Sequence, residues 1–474
     1  MKVLLIYPPT FNMIKTNLPA FVDEEVGVYP PLGLLYIAAY AQKNIGYDVK
    51  ILDCNALKLS YAEVEKRIEE FAPDVVGIQV FTFTLIDALK VADIVKKINP
   101  YVHVCMGGPH VAIYPVETLS FPLVDSVVRG EGEHAFSEIL NALEGLGGLS
   151  AVKGIMFKKD GKIIDTGPRP FLTSDELNAL PFPARQLVAN CKYSTLISEK
   201  NSIATMITSR GCPFKCIFCD RPQMGKAFRA RSVESIISEL NACLEMGISE
   251  FLFYDDTFTV NKKRVLDLCE KLIKTGMNRK IIWDVRSRLD TIDEKMIKKM
   301  RLAGCKRIHY GVESGTERVL KILNKDITLK QAINIFRATS KNGIQTLAYF
   351  ILGNPTETKE EMAATIEFSK KLKPDYVHFS LMTPFPGTEI YKMALAKGVA
   401  KFDYWKKFAE NPNADFEPMF WEEGFMRDDL AKILSLAYKS FYLRPFYMLR
   451  QLFKLKSPGE FRRKFKAGMK LIKH

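Results

Sequence analysis

The stretch Ile203-Ala204-Thr205-Met206-Ile207-Thr208-Ser209-Arg210-Gly211-Cys212-Pro213-Phe214-Lys215-Cys216-Ile217-Phe218-Cys219-Asp220 decides the fold. Ile203–Thr208 is a short apolar, β-rich run, and three closely spaced cysteines follow it. Five further strand candidates lie downstream: Glu250–Tyr254, Ile281–Val285, Arg307–Tyr310, Gln345–Ile351 and Tyr376–Leu381. Helical patterns separate them. In the clearest one, Val233, Ile236, Ile237, Leu240 and Leu244 fall on one face. Six β/α units in roughly 190 residues predict a partial (βα)6 barrel, short of the eight units of a closed one. Chemistry in such barrels sits at the C-terminal ends of the strands, which is where the cysteines fall.

Cys212, Cys216 and Cys219 are separated by three and two residues. Thiolates at that spacing can wrap one face of a [4Fe–4S] cube. Three ligands for four irons leave one iron open to chelate a cofactor or substrate. A structural zinc site would want a fourth ligand, and the nearest other thiols in sequence are Cys191 and Cys243. There are nine cysteines, an odd number, and the other six are scattered. That usage points to a metal site in a reducing compartment and away from a disulfide framework.

The first 145 residues alternate strand and helix signals. Val3–Tyr7, Val49–Leu52, Val75–Phe81 and Val102–Met106 are β-rich; Leu32–Ala41, Ala62–Phe71 and Leu85–Ile98 carry helical spacing. This alternation predicts an α/β, doubly wound parallel sheet that binds ligands at its carboxyl ends. Residues 146–200 read as a connector with a hairpin signal at Asp160-Gly161. The expected division is therefore 1–145, a connector over 146–200, the barrel over 201–395, and a helical C-terminal region over 396–474 with a basic amphipathic tail.

Hydrophobic residues make up 47% of the 474, enough for a sizeable core. The N-terminal apolar run is too short for a signal peptide, and no 18-residue uncharged apolar stretch predicts a membrane span. Net charge is +14, but eleven Lys or Arg against one acid, Glu460, fall between Lys439 and His474. That stretch carries +10, so the rest is near balance and a nucleic-acid partner is not expected. The tail interleaves this charge with Phe446, Tyr447, Leu449, Leu452, Phe453 and Phe461. It fits either a membrane-surface helix or a helix packed on the barrel with a solvated basic face.

The cysteine spacing, with the aromatic Phe218 before the third thiol, resembles the radical S-adenosylmethionine superfamily. That resemblance implies a [4Fe–4S] cluster on Cys212, Cys216 and Cys219 and S-adenosylmethionine as a cofactor. It also implies contacts to that cofactor from Asp255 and Asp256 after the second strand and from Arg288 after the third. Glu313 and Ser314 in Gly311-Val312-Glu313-Ser314-Gly315 resemble the ribose-binding segment. Ile351 and Gly353 in Ile351-Leu352-Gly353-Asn354-Pro355 resemble the adenine-contacting one. Taken from the residues alone, Asp255 and Asp256 could instead cap a helix, Arg288 could be a surface ion-pair partner, and Glu313 could cap the helix after it.

The N-terminal half looks like the cobalamin-binding domain fused to many such enzymes. The matching segments contain Pro8 (Tyr7-Pro8-Pro9), Tyr29-Pro30-Pro31-Leu32-Gly33-Leu34, Gly107 and Gly108 (Cys105-Met106-Gly107-Gly108-Pro109-His110), and Gly130 and Glu131 (Arg129-Gly130-Glu131-Gly132-Glu133). Asp-x-His, the cobalt-ligating motif of methionine-synthase-type domains, does not occur. His110 is therefore expected to be a loop hydrogen-bonding residue rather than a cobalt ligand. Other readings of this half are a flavodoxin-like docking module or the methylthiotransferase arrangement. The latter would want three N-terminal cysteines, and only Cys54 and Cys105 precede residue 150.

The resemblance implies reductive cleavage of S-adenosylmethionine to a 5′-deoxyadenosyl radical and modification of an unactivated carbon, foremost by methyl transfer with cobalamin as carrier. Cyclisation of the magnesium-protoporphyrin type and rearrangement are the alternatives; a non-catalytic corrinoid sensor or carrier is the alternative of another class. A low-potential donor such as ferredoxin or flavodoxin would supply electrons. The expected substrate is hydrophobic: a lipid, isoprenoid or tetrapyrrole. The expected location is the cytoplasm, with peripheral contact on the inner membrane face through the tail.

Overall fold

A computed structural model describes residues 1–14, 27–195, 197–200, 202–220 and 224–453. The N-terminal sheet has seven strands in the order β2-β1-β3-β4-β5-β6-β7. They are β1 (Lys2–Tyr7), β2 (Asp48–Asp53), β3 (Val75–Gln79), β4 (His103–Gly107), β5 (Ser126–Val128), β6 (Ile155–Lys159) and β7 (Lys162–Asp165). The first five are parallel. The hairpin β6–β7 adds antiparallel to β5, so residues expected in the connector complete this sheet. Apolar residues on both faces explain the two helical layers. Leu4 and Ile6 pack with Val64, Ile68 and Val91 on one side, and Val3 and Leu5 with Leu34, Phe136 and Ile139 on the other. The helix Tyr61–Phe71 opens on a capping box, with Ser60 and Glu63 exchanging hydrogen bonds.

The second sheet is six parallel strands in the order β15-β14-β13-β12-β11-β8. They are β8 (Ile203–Met206), β11 (Glu250–Phe253), β12 (Ile282–Ser287), β13 (Cys305–Glu313), β14 (Gln345–Leu352) and β15 (Tyr376–Leu381). All six sequence-predicted strands are present, and β13 is longer at both ends. A short antiparallel ribbon, β9 (Ser209–Arg210) with β10 (Arg229–Ala230), frames the cysteine segment. Two-residue strands carry no periodicity, and the sequence gives no sign of them. In the helix Val233–Glu245, Ile236, Ile237 and Leu240 are buried, with Val233 and Leu244 half-buried beside them.

Side chains alternate across a strand. Phe251 and Phe253, Trp283 and Val285, Ile308 and Tyr310, Ala348 and Phe350, and Val377 and Phe379 join the core under the helices. The alternate positions form the inward row, which is largely polar: Asp284, Arg286, Arg307, His309, Tyr349, Tyr376 and His378, with Leu252, Leu347 and Ile351 among its apolar members. Deepest of these, Arg307 pairs with Asp284 at 2.5 Å, both buried.

β15 is an edge strand, whose free backbone groups would need partners. The helix Arg427–Tyr442 supplies them. Tyr438 accepts from Phe379 N–H at 3.2 Å and donates to Phe379 C=O at 2.8 Å; Tyr442 does the same for Val377 at 2.9 and 2.7 Å. Trp405 and Phe408 from the C-terminal region pack into the N-terminal core, tying the two halves together. Replacing Tyr438 by Phe leaves one N–H and one C=O of β15 unpaired. We expect a loss of about 1–3 kcal/mol, read from the urea midpoint, and faster amide exchange at Phe379. Unchanged exchange at Phe379 would contradict this edge assignment.

Candidate active site

Arg210 closes β9, and Gly211 follows in the left-handed region at φ +86. A Cβ there would stand 2.1 Å from Ala227 O, so only glycine can lead into Cys212. The loop is pinned from other elements: Ile217 N–H donates to Leu323 C=O at 3.2 Å, and Asn324 donates to Lys215 C=O at 2.7 Å. Cys212, Cys216 and Cys219 then line one cavity of about 180 Å³ at the C-terminal mouth of the barrel. Asp256, Arg286, Arg288, Glu313, Lys325 and Tyr349 line the same cavity.

The donor chemistry fits an iron–sulfur cube. Loss of water around the sulfur, then the negative fields of Cys216 and Cys212, push the Cys219 thiol up to about 12. Burial likewise raises Cys216, against the pull of Lys325 and Arg288. Thiols crowded in this way ionise readily only around a positive centre, which iron would provide. Arg288 donates to Cys216 Sγ at 3.2 Å, is held by Asp290 at 2.7 Å, and stacks on Phe214 at 3.9 Å.

Glu313 sits just past a register shift in β13 and has φ +68, a conformation rare outside glycine. The bulge turns its carboxylate into the cavity, where Lys325 pairs with it at 2.8 Å. Strain of this kind at a cavity marks a positioned group.

Other sequence-predicted residues fall elsewhere. Asp255 does not line the cavity. Its oxygens accept from Thr208 N, Thr208 Oγ1 and Ser209 Oγ at 2.5–2.6 Å, so it ties the end of β8 to the end of β11. Ser314 is buried against Thr365 at 3.2 Å, and Gly353 lies under Leu430. Asp256 and Arg288 are in the cavity, whereas Phe218 lies on its boundary with a second one that also holds Ile351.

In the N-terminal domain, Gly33, Gly77, Gly107, Gly108, Gly130 and Gly132 surround a cavity of about 160 Å³ at the carboxyl ends of β3, β4 and β5. Gly108 has φ +115, and a Cβ on it would stand 2.8 Å from Val80 O. Gln79 Oε1 is buried there without a partner. A backbone-lined cleft with an unsatisfied acceptor fits a large cofactor's polar tail. Pro8 is buried outside this lining. His110 is also outside it; burial drives its pKa down to about 3, and its Nδ1 pairs with Thr82 Oγ1 at 3.0 Å.

Glu131 lines the cleft, but its carboxylate is committed. It accepts from Arg210 at 2.9 Å, Arg229 at 3.0 Å and Leu172 N–H at 2.6 Å, while Glu133 accepts from Arg210 at 2.5 Å. Burial opposes ionisation of Glu133, but the Arg210 guanidinium outweighs it and holds the carboxyl below its usual range. These two glutamates join the N-terminal domain to the ribbon that frames the cysteines. Arg286, His309, Tyr349 and Lys325 were not singled out from the sequence. The signal that could have found the first three is the polar inward row of β12–β14.

Comparison with known proteins matches two segments of the chain. Residues 206–369 match the Radical SAM superfamily, and residues 20–140 match the B12 binding domain. An uncharacterised methyltransferase of Pyrococcus horikoshii is 39% identical over 456 residues, 96% of this chain and 95% of its own length. The chain therefore belongs to the radical SAM superfamily, among the members that carry a B12 binding domain, and it is an enzyme with a [4Fe–4S] cluster, S-adenosylmethionine and cobalamin as cofactors. The anaerobic magnesium-protoporphyrin IX monomethyl ester cyclase of Rubrivivax gelatinosus is 28% identical over 414 residues, 86% of this chain and 72% of that one. The cobalamin-dependent S-adenosylmethionine radical enzyme OxsB, solved with aqua-cobalamin and S-adenosylmethionine, shares the fold: TM-score 0.75, 18% identity, 99% of this chain and 72% of that one.

Gly107 offers a direct check of the cleft. A Cβ there meets only Val128 atoms, at 3.8 Å and beyond, so a larger side chain fits the backbone yet fills the cavity. Gly107→Leu is expected to lower cobalamin content at least tenfold while iron per chain stays constant. Equal cobalamin in the variant would move the cofactor elsewhere.

Proposed function

We propose that the enzyme transfers a methyl group to an unactivated carbon of a hydrophobic small molecule: a lipid, isoprenoid or tetrapyrrole. One observation carries the substrate class. A second cavity, of about 150 Å³, adjoins the cysteine cavity at Phe218 and is lined by Phe83 of the N-terminal domain with Ile351, Leu381, Met382, Phe385 and Phe420. Apolar walls drawn from both domains, next to the cysteine cavity, suit an apolar substrate.

In this reading Cys212, Cys216 and Cys219 hold the cluster, and Asp256, Arg288, Glu313 and Lys325 take the charged groups of S-adenosylmethionine. The cofactors together supply a 5′-deoxyadenosyl radical and a transferable methyl group. Arg288 is kept in place by Asp290, and the Glu313–Lys325 pair offers both signs of charge within a few ångströms. Phe218, Phe385 and Phe420 line the chamber with aromatic surface. A ferredoxin- or flavodoxin-type donor would deliver the electrons.

The basic tail beyond Phe453 lies outside the described residues. Just before it, Phe446, Leu449 and Phe453 are exposed on the helix Pro445–Leu452 and its end. No helix among the described residues is long and apolar enough to cross a membrane. Exposed aromatics followed by Lys454, Lys456, Arg462, Arg463 and Lys464 favour contact with an anionic surface, at on the order of 1 kcal/mol per basic residue.

The test is anaerobic turnover with S-adenosylmethionine bearing a trideuterated methyl group, on anionic vesicles loaded with lipid extract. Label should enter the lipid fraction, with S-adenosylhomocysteine and 5′-deoxyadenosine formed together. The protein should sediment with the vesicles, and a chain ending at Phe453 should not. 5′-Deoxyadenosine without S-adenosylhomocysteine would favour cyclisation or rearrangement, and label confined to water-soluble products would overturn the hydrophobic substrate.

A further inference from the structure

Four basic side chains of the barrel interior and its mouth lie close together, and three are neutralised. Arg288 pairs with Asp290, Arg307 with Asp284 and Lys325 with Glu313. The fourth, Arg286, has no ion-pair partner among the described residues and is exposed within the cysteine cavity. Its guanidinium stacks on the Tyr254 ring at 4.1 Å, and Tyr254 in turn meets Tyr29 of the N-terminal domain edge-on at 5.5 Å. Stacking fixes the plane of the guanidinium and leaves its N–H fork open. Tyr349, on β14 with β13 between it and Arg286, lines the same cavity, and its hydroxyl pairs with His309 Nδ1 at 3.1 Å.

A stacked guanidinium without an ion-pair partner, in one cavity with a phenol, is a receptor for a planar or tetrahedral anion. We infer that Arg286, assisted by Tyr349, binds a carboxylate or phosphate group carried by the substrate, so that the enzyme selects an amphiphile rather than a neutral hydrocarbon. This rests on the apolar chamber being the substrate's site. Ile351 of that chamber stands two residues beyond Tyr349 on β14, a rise of about 6.6 Å. The anion thus sits deeper in the barrel, and the apolar body extends toward Phe218, Phe385 and Phe83 at the domain boundary. The charged end fixes which carbon of the body is presented there.

S-adenosylmethionine also has a carboxylate, so the experiment separates the two sources. Octanoate, octyl phosphate and octanol are titrated by calorimetry into the anaerobically reconstituted holoenzyme and into its Arg286→Gln and Tyr349→Phe variants, and S-adenosylmethionine is titrated in parallel. The native enzyme should prefer at least one of the two anions over octanol by tenfold or more. Arg286→Gln should remove that preference, Tyr349→Phe should reduce it several-fold, and neither should change octanol binding more than about twofold. Octanol binding as tightly as both anions would overturn the inference and leave the chamber reading standing. A preference that survives Arg286→Gln, or a tenfold loss of S-adenosylmethionine affinity in that variant, would also overturn it. Binding of none of the three would remove the chamber reading, and this inference with it.

Discussion

The structure turns on one buried ionic contact, Arg210 and Arg229 against Glu131 and Glu133. All four side chains are about nine-tenths buried or more, so each charge has given up its water and depends on the others. Breaking a pair of this kind costs about 3–5 kcal/mol, because the remaining charge is stranded. Arg210 and Arg229 belong to the two strands of the ribbon that brackets the cysteine loop. Glu131 and Glu133 begin the helix after β5 and border the glycine cleft. The contact therefore sets where the thiols stand relative to the cleft, and a shift of either domain would break it.

What the contact holds together is a site with two mouths. The glycine cleft opens at the carboxyl ends of one parallel sheet and the cysteine cavity at those of the other, with the aromatic chamber drawing Phe83 from the first and Phe218 from the second. The six-stranded sheet does not close, and its inward row is largely polar rather than packed with branched apolar residues. The Asp284–Arg307 pair fills the lower part, which leaves Arg286, Tyr349 and Glu313 to face the upper part. The open edge is managed outside the barrel, where Tyr438 and Tyr442 supply the backbone partners that a further strand would have given.

Much of this was legible in the sequence, for definite reasons. The twelve-odd residues around Cys212 carry a spacing that only a cluster explains well, and strands of the parallel sheets are long enough for apolar runs to stand out. The alternation of strand and helix signals was sufficient for both sheets. Ser126–Val128 was not legible, because three residues make no pattern, and β9 and β10 are shorter still. The site was read less fully. Asp255 and Asp256 are adjacent and chemically alike, yet only Asp256 faces the cavity; the other is consumed by Thr208 and Ser209, which no local rule reveals. Glu131 lines the glycine cleft and also carries the ionic contact, with partners 79 and 98 residues away that no local pattern reveals. Arg286 is not legible locally, because a strand arginine reads as a solvated face unless the inward row is followed across several strands.

We propose that Cys212, Cys216 and Cys219 hold the [4Fe–4S] cluster with one iron free for S-adenosylmethionine. Electron paramagnetic resonance of the anaerobically reconstituted, dithionite-reduced holoenzyme tests it most directly. A [4Fe–4S]⁺ signal whose g-values shift when S-adenosylmethionine is added is expected, with loss of that signal in Cys216→Ala. A signal indifferent to S-adenosylmethionine, or one that survives Cys216→Ala unchanged, would contradict it.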